Sequence, residues 1–209
     1  MSTRGSQMTT LKTSRRSMLA SFVAAAASLL LSGAALAADL PQVAIKTSMG
    51  EIVVELDQEK APKTVANFLA YVKSGFYKGT IFHRVIDGFM IQGGGMNEKF
   101  EGRQTRKPVK NESSNGLSNQ PYTISMAREN HPDTATSQFF INVADNSGID
   151  YPNVGGSGYT VFGKVVKGQE VVDKIKAVVV DDVRGMENVP VTPIFIKSAT
   201  LLKGDKLVK

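Results

Sequence analysis

Phe82-His83-Arg84-Val85-Ile86-Asp87-Gly88-Phe89-Met90-Ile91-Gln92-Gly93-Gly94 is the stretch on which the reading of this chain turns. It spans most of one β-type run, Thr80–Ile86, and all of a second, Phe89–Gln92, with only Asp87 and Gly88 between them. Taken one at a time its residues are unremarkable. An isolated arginine is usually a surface ion-pair residue, and an isolated Phe89 or Met90 is usually core. Their company gives them weight.

Working towards the N-terminus, Glu51–Leu56 and Val43–Thr47 are further strand candidates, joined by the short glycine-containing loop Ser48-Met49-Gly50. Between Leu56 and Thr80 lies a helix signal. Pro62 suits a first helical position, Val65, Phe68, Leu69 and Val72 follow an i, i+3, i+4, i+7 stripe, and Gly75 ends it. Working towards the C-terminus, Tyr122–Ala127, Gln138–Val143 and Thr160–Val166 are β-type. A second helix over about 168–177 puts Val171, Val172, Ile175 and Val178 on one side, and Ile194–Leu202 is a last strand. Many strands with two widely separated helices predict a mainly β fold, a barrel capped by helices. Residues 93–120 and 145–158, rich in Gly, Asn and Ser, read as long surface loops, where binding sites often sit. Gly93-Gly94-Gly95 reads as a flexible turn; it lacks the following helix and the lysine of a phosphate cradle.

Three segments carry a family resemblance: residues 82–94 as quoted, Ser125-Met126-Ala127-Arg128 followed by Ser137-Gln138-Phe139-Phe140-Ile141, and Val161-Phe162-Gly163-Lys164-Val165. In order and approximate spacing they resemble the cyclophilins, a family of peptidyl-prolyl cis–trans isomerases, over essentially residues 40–203. The resemblance implies a closed eight-stranded antiparallel β-barrel with a helix over each end and a substrate groove on its outer surface. It implies that Arg84 is catalytic and that Gln92 binds the substrate backbone. Phe89, Met90, Phe140 and Ile149 would form the proline pocket, Ala127 and Gln138 would line the groove, and Tyr159 would stand at its edge. Phe139 and Phe162 are assigned to the core. The implied partners are proline-containing unfolded or flexible polypeptides, with no cofactor and no metal.

The chemistry asks for such a set on its own terms. Rotation about a peptide bond crosses about 18–20 kcal/mol because the C–N bond has partial double-bond character, and unaided X–Pro isomerisation takes tens to hundreds of seconds. No covalent bond breaks, so neither nucleophile nor metal is required. A fixed, permanently charged guanidinium that donates towards the twisted amide nitrogen stabilises the transition state more than the planar ground state. His83 and His131, the only histidines in a chain without cysteine, are too far apart in sequence to suggest a zinc or catalytic-histidine site.

Four positions depart from the family pattern. Asp87 replaces a proline found in many members, the loop from Arg128 to Thr136 is slightly longer, and Tyr159 stands where many have histidine. Gly148 stands where many carry a large rim aromatic, on which cyclosporin-type cyclic peptides pack.

The first 37 residues read as an export signal. Lys12, Arg15 and Arg16 precede an uncharged Ala/Leu-rich run that ends in Ala35-Leu36-Ala37, a small-x-small cleavage pattern. Its dense apolar part, Met18 to Leu31, is 14 residues, short of the roughly 18–20 that span a bilayer. Ser14-Arg15-Arg16-Ser17-Met18-Leu19 suits the twin-arginine route, and the same charges suit the general secretory route. The sequence therefore predicts a signal over 1–37 and one isomerase domain over 38–209, delivered to the periplasm and free of the membrane. A monomer is the default. The signal also holds four of the chain's 25 basic residues and none of its 19 acidic ones, which leaves residues 38–209 at a net charge of +2. So small a charge argues against a nucleic-acid surface. A non-catalytic peptide-binding module is the other alternative, and the presence of both Arg84 and Gln92 weighs against it.

Overall fold

The computed structural model describes residues 40–203 together with Met1; the expected export signal otherwise lies outside the described residues. Ten strands run in chain order: β1 (Gln42–Thr47), β2 (Glu51–Leu56), β3 (Thr80–Ile86), β4 (Met90–Gly93), β5 (Thr123–Met126), β6 (Phe139–Asn142), β7 (Val161–Lys167), β8 (Val180–Val183), β9 (Met186–Pro190) and β10 (Ile194–Lys203). Helix α1 (Pro62–Lys73) follows β2, and α2 (Gln169–Lys176) follows β7. Eight strands close a barrel in the order β1-β10-β3-β4-β6-β5-β7-β2, every neighbouring pair antiparallel. This is the predicted eight-stranded, two-helix architecture. The β8–β9 hairpin, a separate two-stranded sheet, is an addition to it.

The lumen is packed with side chains. Ile45, Ile52, Val54, Leu56, Ile91, Ile124, Ile141 and Phe162 belong to the central cluster and are at most 1% exposed. Burying each such side chain stabilises the fold by about 1.5–3 kcal/mol, and a lumen filled this way has no room for a polypeptide substrate. Helix α1 closes one end through Phe68, which lies 5.3 Å from the Phe162 ring and edge-on to Phe139 at 5.7 Å.

Two details of the ends bear on the rest. Ala61, the residue before α1, cannot cap the helix with its side chain. The carboxylate of Glu112 accepts from Lys63 N, Thr64 N and Thr64 Oγ1 instead, at 3.1, 2.9 and 2.7 Å. An acid at a helix N-terminus satisfies orphan donors and complements the dipole. It also ties the long segment before β5 to the barrel end. At the β1–β2 loop, a Cβ on Gly50 would meet Val171 Cγ2 at 2.6 Å, so glycine lets α2 lie directly on the hairpin. No helix among the described residues is long and apolar enough to cross a membrane.

Candidate active site

Three adjacent strands, β3, β4 and β6, build the outer surface on which the sequence-predicted residues meet. On β4, Ile91 joins the barrel core while its neighbours Met90 and Gln92 face the other way, as strand alternation requires. On β6, Phe139 and Ile141 are core and Phe140, the partner of Gln92 in register, is not in that cluster. On β3, Phe82 and Val85 both belong to the core although three positions apart. The register explains this: Phe82 pairs Gly93 and Arg84 pairs Gln92, with a bulge at His83. Without that extra residue, alternation would turn Arg84 into the lumen. Bulges re-aim side chains in this way.

Gln92 is the hub. Arg84 Nη1 donates to its Oε1 at 3.4 Å, and its Nε2 donates to Gln138 Oε1 at 2.9 Å. Arg84 is half-buried, and among the described residues it forms no ion pair, so its charge is left free to act on what enters. Gln138 lies across Gly95, where a Cβ would meet Gln138 Cγ at 2.4 Å. The expected flexible turn at Gly93–Gly95 is therefore a packed floor: Gly93 ends β4, Gly94 abuts Tyr77 and Phe139, and Gly95 carries Gln138. Ala127 N donates to Gln138 O at 3.0 Å. Beside this trio a cavity of about 140 Å³ opens between Gln92, Ala127, Arg128, Thr134, Thr136 and Gln138.

The apolar half of the site lies on the other side of Gln92. Met90 and Phe140 are 2% and 4% exposed, the most buried of the predicted pocket residues, while Phe89, Ile149 and Tyr159 are half-buried. Phe89 lies in the turn before β4, and Ile149 ends the 3-10 turn Ser147–Ile149. Tyr159 meets Phe140 edge-on at 5.7 Å and donates its backbone N–H to Ile149 O at 3.1 Å. Hydrogen bonds, register and ring contact thus link Arg84, Gln92, Gln138, Ala127, Phe140, Tyr159 and Ile149, with Phe89 and Met90 at the turn and start of β4 beside Gln92.

The sequence reading missed two groups that shape this patch. The Arg128 guanidinium sits 4.5 Å over the Tyr159 ring and donates to Gly158 O, Glu129 O, Asn130 O and Ser157 Oγ. It clasps two loops and backs Tyr159 against Phe140. Asn146 donates its side-chain amide to Phe89 O at 2.7 Å. Arg128 stood in the motif as a neighbour of Ala127, and nothing in the sequence marks the hydrogen bonds that its guanidinium makes.

His83 is buried, and its Nδ1 has no hydrogen-bond partner. Burial, and next the adjacent Arg84 charge, lower its pKa to about 4, against the pull of a hydrogen bond to the Ile81 backbone. The imidazole is therefore neutral at physiological pH and adds no second positive charge beside the guanidinium. Among the described residues no group of three or more His, Cys, Asp or Glu side chains converges to hold a metal ion.

Comparison with known proteins bears on this patch. Residues 42–201 match the family model described as cyclophilin type peptidyl-prolyl cis-trans isomerase/CLD. The chain is 54% identical over 164 residues to peptidyl-prolyl cis-trans isomerase cyp18 of Streptomyces antibioticus, across 77% of this chain and 98% of that protein. It is 56% identical over 161 residues to peptidyl-prolyl cis-trans isomerase A of Dickeya dadantii, across 77% and 84% of the two chains. Among solved structures, a Cryptosporidium parvum cyclophilin type peptidyl-prolyl cis-trans isomerase, crystallised in the presence of the dipeptide Ala-Pro, superposes with a TM-score of 0.65 at 31% identity. That match covers 78% of this chain and 99% of the other.

Proposed function

Because the chain belongs to the cyclophilin-type peptidyl-prolyl cis–trans isomerases, and is an isomerase of that class, we propose that the outer patch around Gln92 is its active site and that it turns X–Pro bonds in exported polypeptides. The observation that carries this reading is the bulge at His83, which sets Arg84 against Gln92 beside the outward-facing Met90 and Phe140.

In this reading the proline ring enters the apolar half, between Phe89, Met90, Phe140 and Ile149. Gln92, with Gln138 and Ala127 behind it, holds the backbone next to the bond. As the bond twists, the prolyl nitrogen loses conjugation and becomes a hydrogen-bond acceptor. Arg84 donates to it, an interaction that the planar amide cannot accept equally well. An acceleration of about 10⁵ needs about 7 kcal/mol. The guanidinium, the groove contacts and exclusion of water share it. No proton is transferred and no cofactor enters.

The site of action is part of the same proposal. Residues 1–37 act as a cleaved export signal, and the mature protein from Ala38 works as a soluble monomer in the periplasm on unfolded or flexible proline-containing chains. The Ala35-Leu36-Ala37 pattern and the near-neutral charge of residues 38–209 support it. Cell fractionation with N-terminal sequencing tests the location: a periplasmic protein that starts at Ala38 is expected, and retention of residues 1–37 on a membrane-bound form overturns it. A protease-coupled X–Pro assay tests the site, with loss of activity in Arg84→Ala as the expected result and full retention as the contrary one.

A further inference from the structure

The two walls of the apolar half, Phe89 and Ile149, are joined through the protein by a row of buried amides that the chemistry above does not use. Asn146 Nδ2 donates to Phe89 O and to Asn142 Oδ1, each at 2.7 Å. Asn142 Nδ2 donates to Asn119 Oδ1 at 3.1 Å, and Asn119 Nδ2 donates to Asp150 Oδ1 at 2.7 Å. Asp150 directly follows Ile149. From Asn146 to the carboxylate beside Ile149, three side-chain amides donate in one direction, while Asn146 also donates back to the carbonyl of Phe89.

The middle of the row is enclosed, and its two ends are half-buried. Asn119 and Asn142 are 0% exposed. Ser125 Oγ donates to Asn119 Oδ1 at 2.7 Å, Asn142 Nδ2 also donates to Thr123 Oγ1 at 2.9 Å, and the Asn119 backbone N–H reaches Asp150 Oδ1 at 2.8 Å. Ser118 Oγ takes the other carboxylate oxygen at 2.5 Å. Apolar side chains would fill the same volume without a desolvation cost, but they would not fix a distance. Hydrogen bonds are directional, and aligned amides ending on an anion polarise one another.

We infer that the Asn146–Asn142–Asn119–Asp150 relay is a positioning device that sets the separation of Phe89 and Ile149, and so the ring size the pocket accepts. None of these four residues touches the substrate in this account; they act through Phe89 and Ile149. The inference rests on the proposed proline pocket, and the experiment separates the two.

Asn142→Ala and Asn146→Ala are assayed, kcat and KM apart, on an Ala–Pro peptide and on the same peptide carrying pipecolic acid, whose ring is one methylene larger. Thermal melting is followed in parallel, and Phe140→Ala serves as the pocket control. The relay predicts a KM for the proline peptide raised about fivefold or more with kcat within about twofold. It also predicts that preference for proline over pipecolic acid falls at least about threefold, a partial loss of the roughly 10–200-fold by which a well-shaped pocket discriminates one methylene. If both asparagine variants melt earlier but keep the wild-type KM and ring preference, while Phe140→Ala loses binding, the relay is purely structural and the inference fails. If Phe140→Ala also keeps the wild-type KM, the pocket assignment itself is wrong, and the inference falls with it. Should Asn142→Ala not fold, the half-buried Asn146→Ala decides by the same criteria.

Discussion

Arg84 and Gln92 face each other across β3 and β4, and the guanidinium of one donates to the amide oxygen of the other at 3.4 Å. The contact is long for a hydrogen bond, which is consistent with the proposed exchange of this partner for a twisted prolyl nitrogen. Arg84→Ala is expected to lower kcat/KM at least about 10²-fold, equivalent to roughly 2.7 kcal/mol, with unchanged circular dichroism. Arg84→Lys is expected to be nearly as poor, because an ammonium lacks the planar fork of donors. Near-full activity of the alanine variant in the protease-coupled assay would sink the mechanism.

His83 makes a pH prediction with two parts. The proposed mechanism transfers no proton, and His83, its pKa lowered to about 4, is neutral across this range, so kcat/KM on a peptide without ionisable side chains should be flat from about pH 6 to 9. Stability should not be flat. The imidazole has a pKa of about 6.5 when unfolded and about 4 when folded, so between those values the unfolded chain binds more protons. Its contribution, roughly 3 kcal/mol, is fully present above about pH 6.5, is lost as pH falls, and levels off below about 4. His83→Gln should flatten that limb in urea melts at a series of pH values. An unchanged slope between pH 6.5 and 4 would show that His83 is not its source.

Gly95 is predicted to matter through Gln138. A methyl group there overlaps Gln138 Cγ, so Gly95→Ala must push that side chain off the floor and break its bond with Gln92. A fall in kcat/KM of about tenfold is expected, with little change in melting temperature because the displaced neighbour is a half-buried side chain. Crystallography of the variant checks the displacement directly. If Gln138 stays in place and activity holds, the floor has no such role.

Gly148 is exposed, and a side chain there meets nothing within 4 Å. The rim therefore offers cyclosporin-type peptides no aromatic surface at this position, and inhibition should be weak. Gly148→Trp adds that surface without a clash and should tighten binding by at least about fivefold, on the scale of one buried aromatic contact. Potent inhibition of the unmodified protein in a calorimetric titration would show that another residue fills the role.

Much of the barrel was legible because its strands and helix faces follow simple periods. Val65, Phe68, Leu69 and Val72 form the buried stripe of α1 that their spacing predicts, and all eight barrel strands overlap the β-type runs. The β8–β9 hairpin escaped notice because Val180–Val183 has Asp181 and Asp182 exposed in its middle, so no apolar alternation marks it. The bulge at His83 was hidden for a different reason: a seven-residue β-type run such as Thr80–Ile86 looks the same with or without an unpaired residue. Asn119, Asn142 and Asn146 were invisible as a unit. Asn119 and Asn146 lie in Gly- and Ser-rich stretches that read as loop surface and Asn142 in a strand run, and only the fold reveals that Asn119 and Asn142 are wholly enclosed.

The strand that closes the barrel is the last one made. β10 lies between β1 and β3, pairing Ile194 with Phe82 and Ile196 with Thr80. A nascent chain that has not yet released Ile194 from its tunnel therefore holds two unpaired sheet edges, and one of them is the strand that bears Arg84. Such edges recruit other strands. Until β10 (Ile194–Lys203) emerges, seven of the eight barrel strands are present as an open sheet with both of these edges exposed. Chains cut before Ile194 should therefore be inactive and prone to aggregate, because the strand bearing Arg84 would lack its β10 partner.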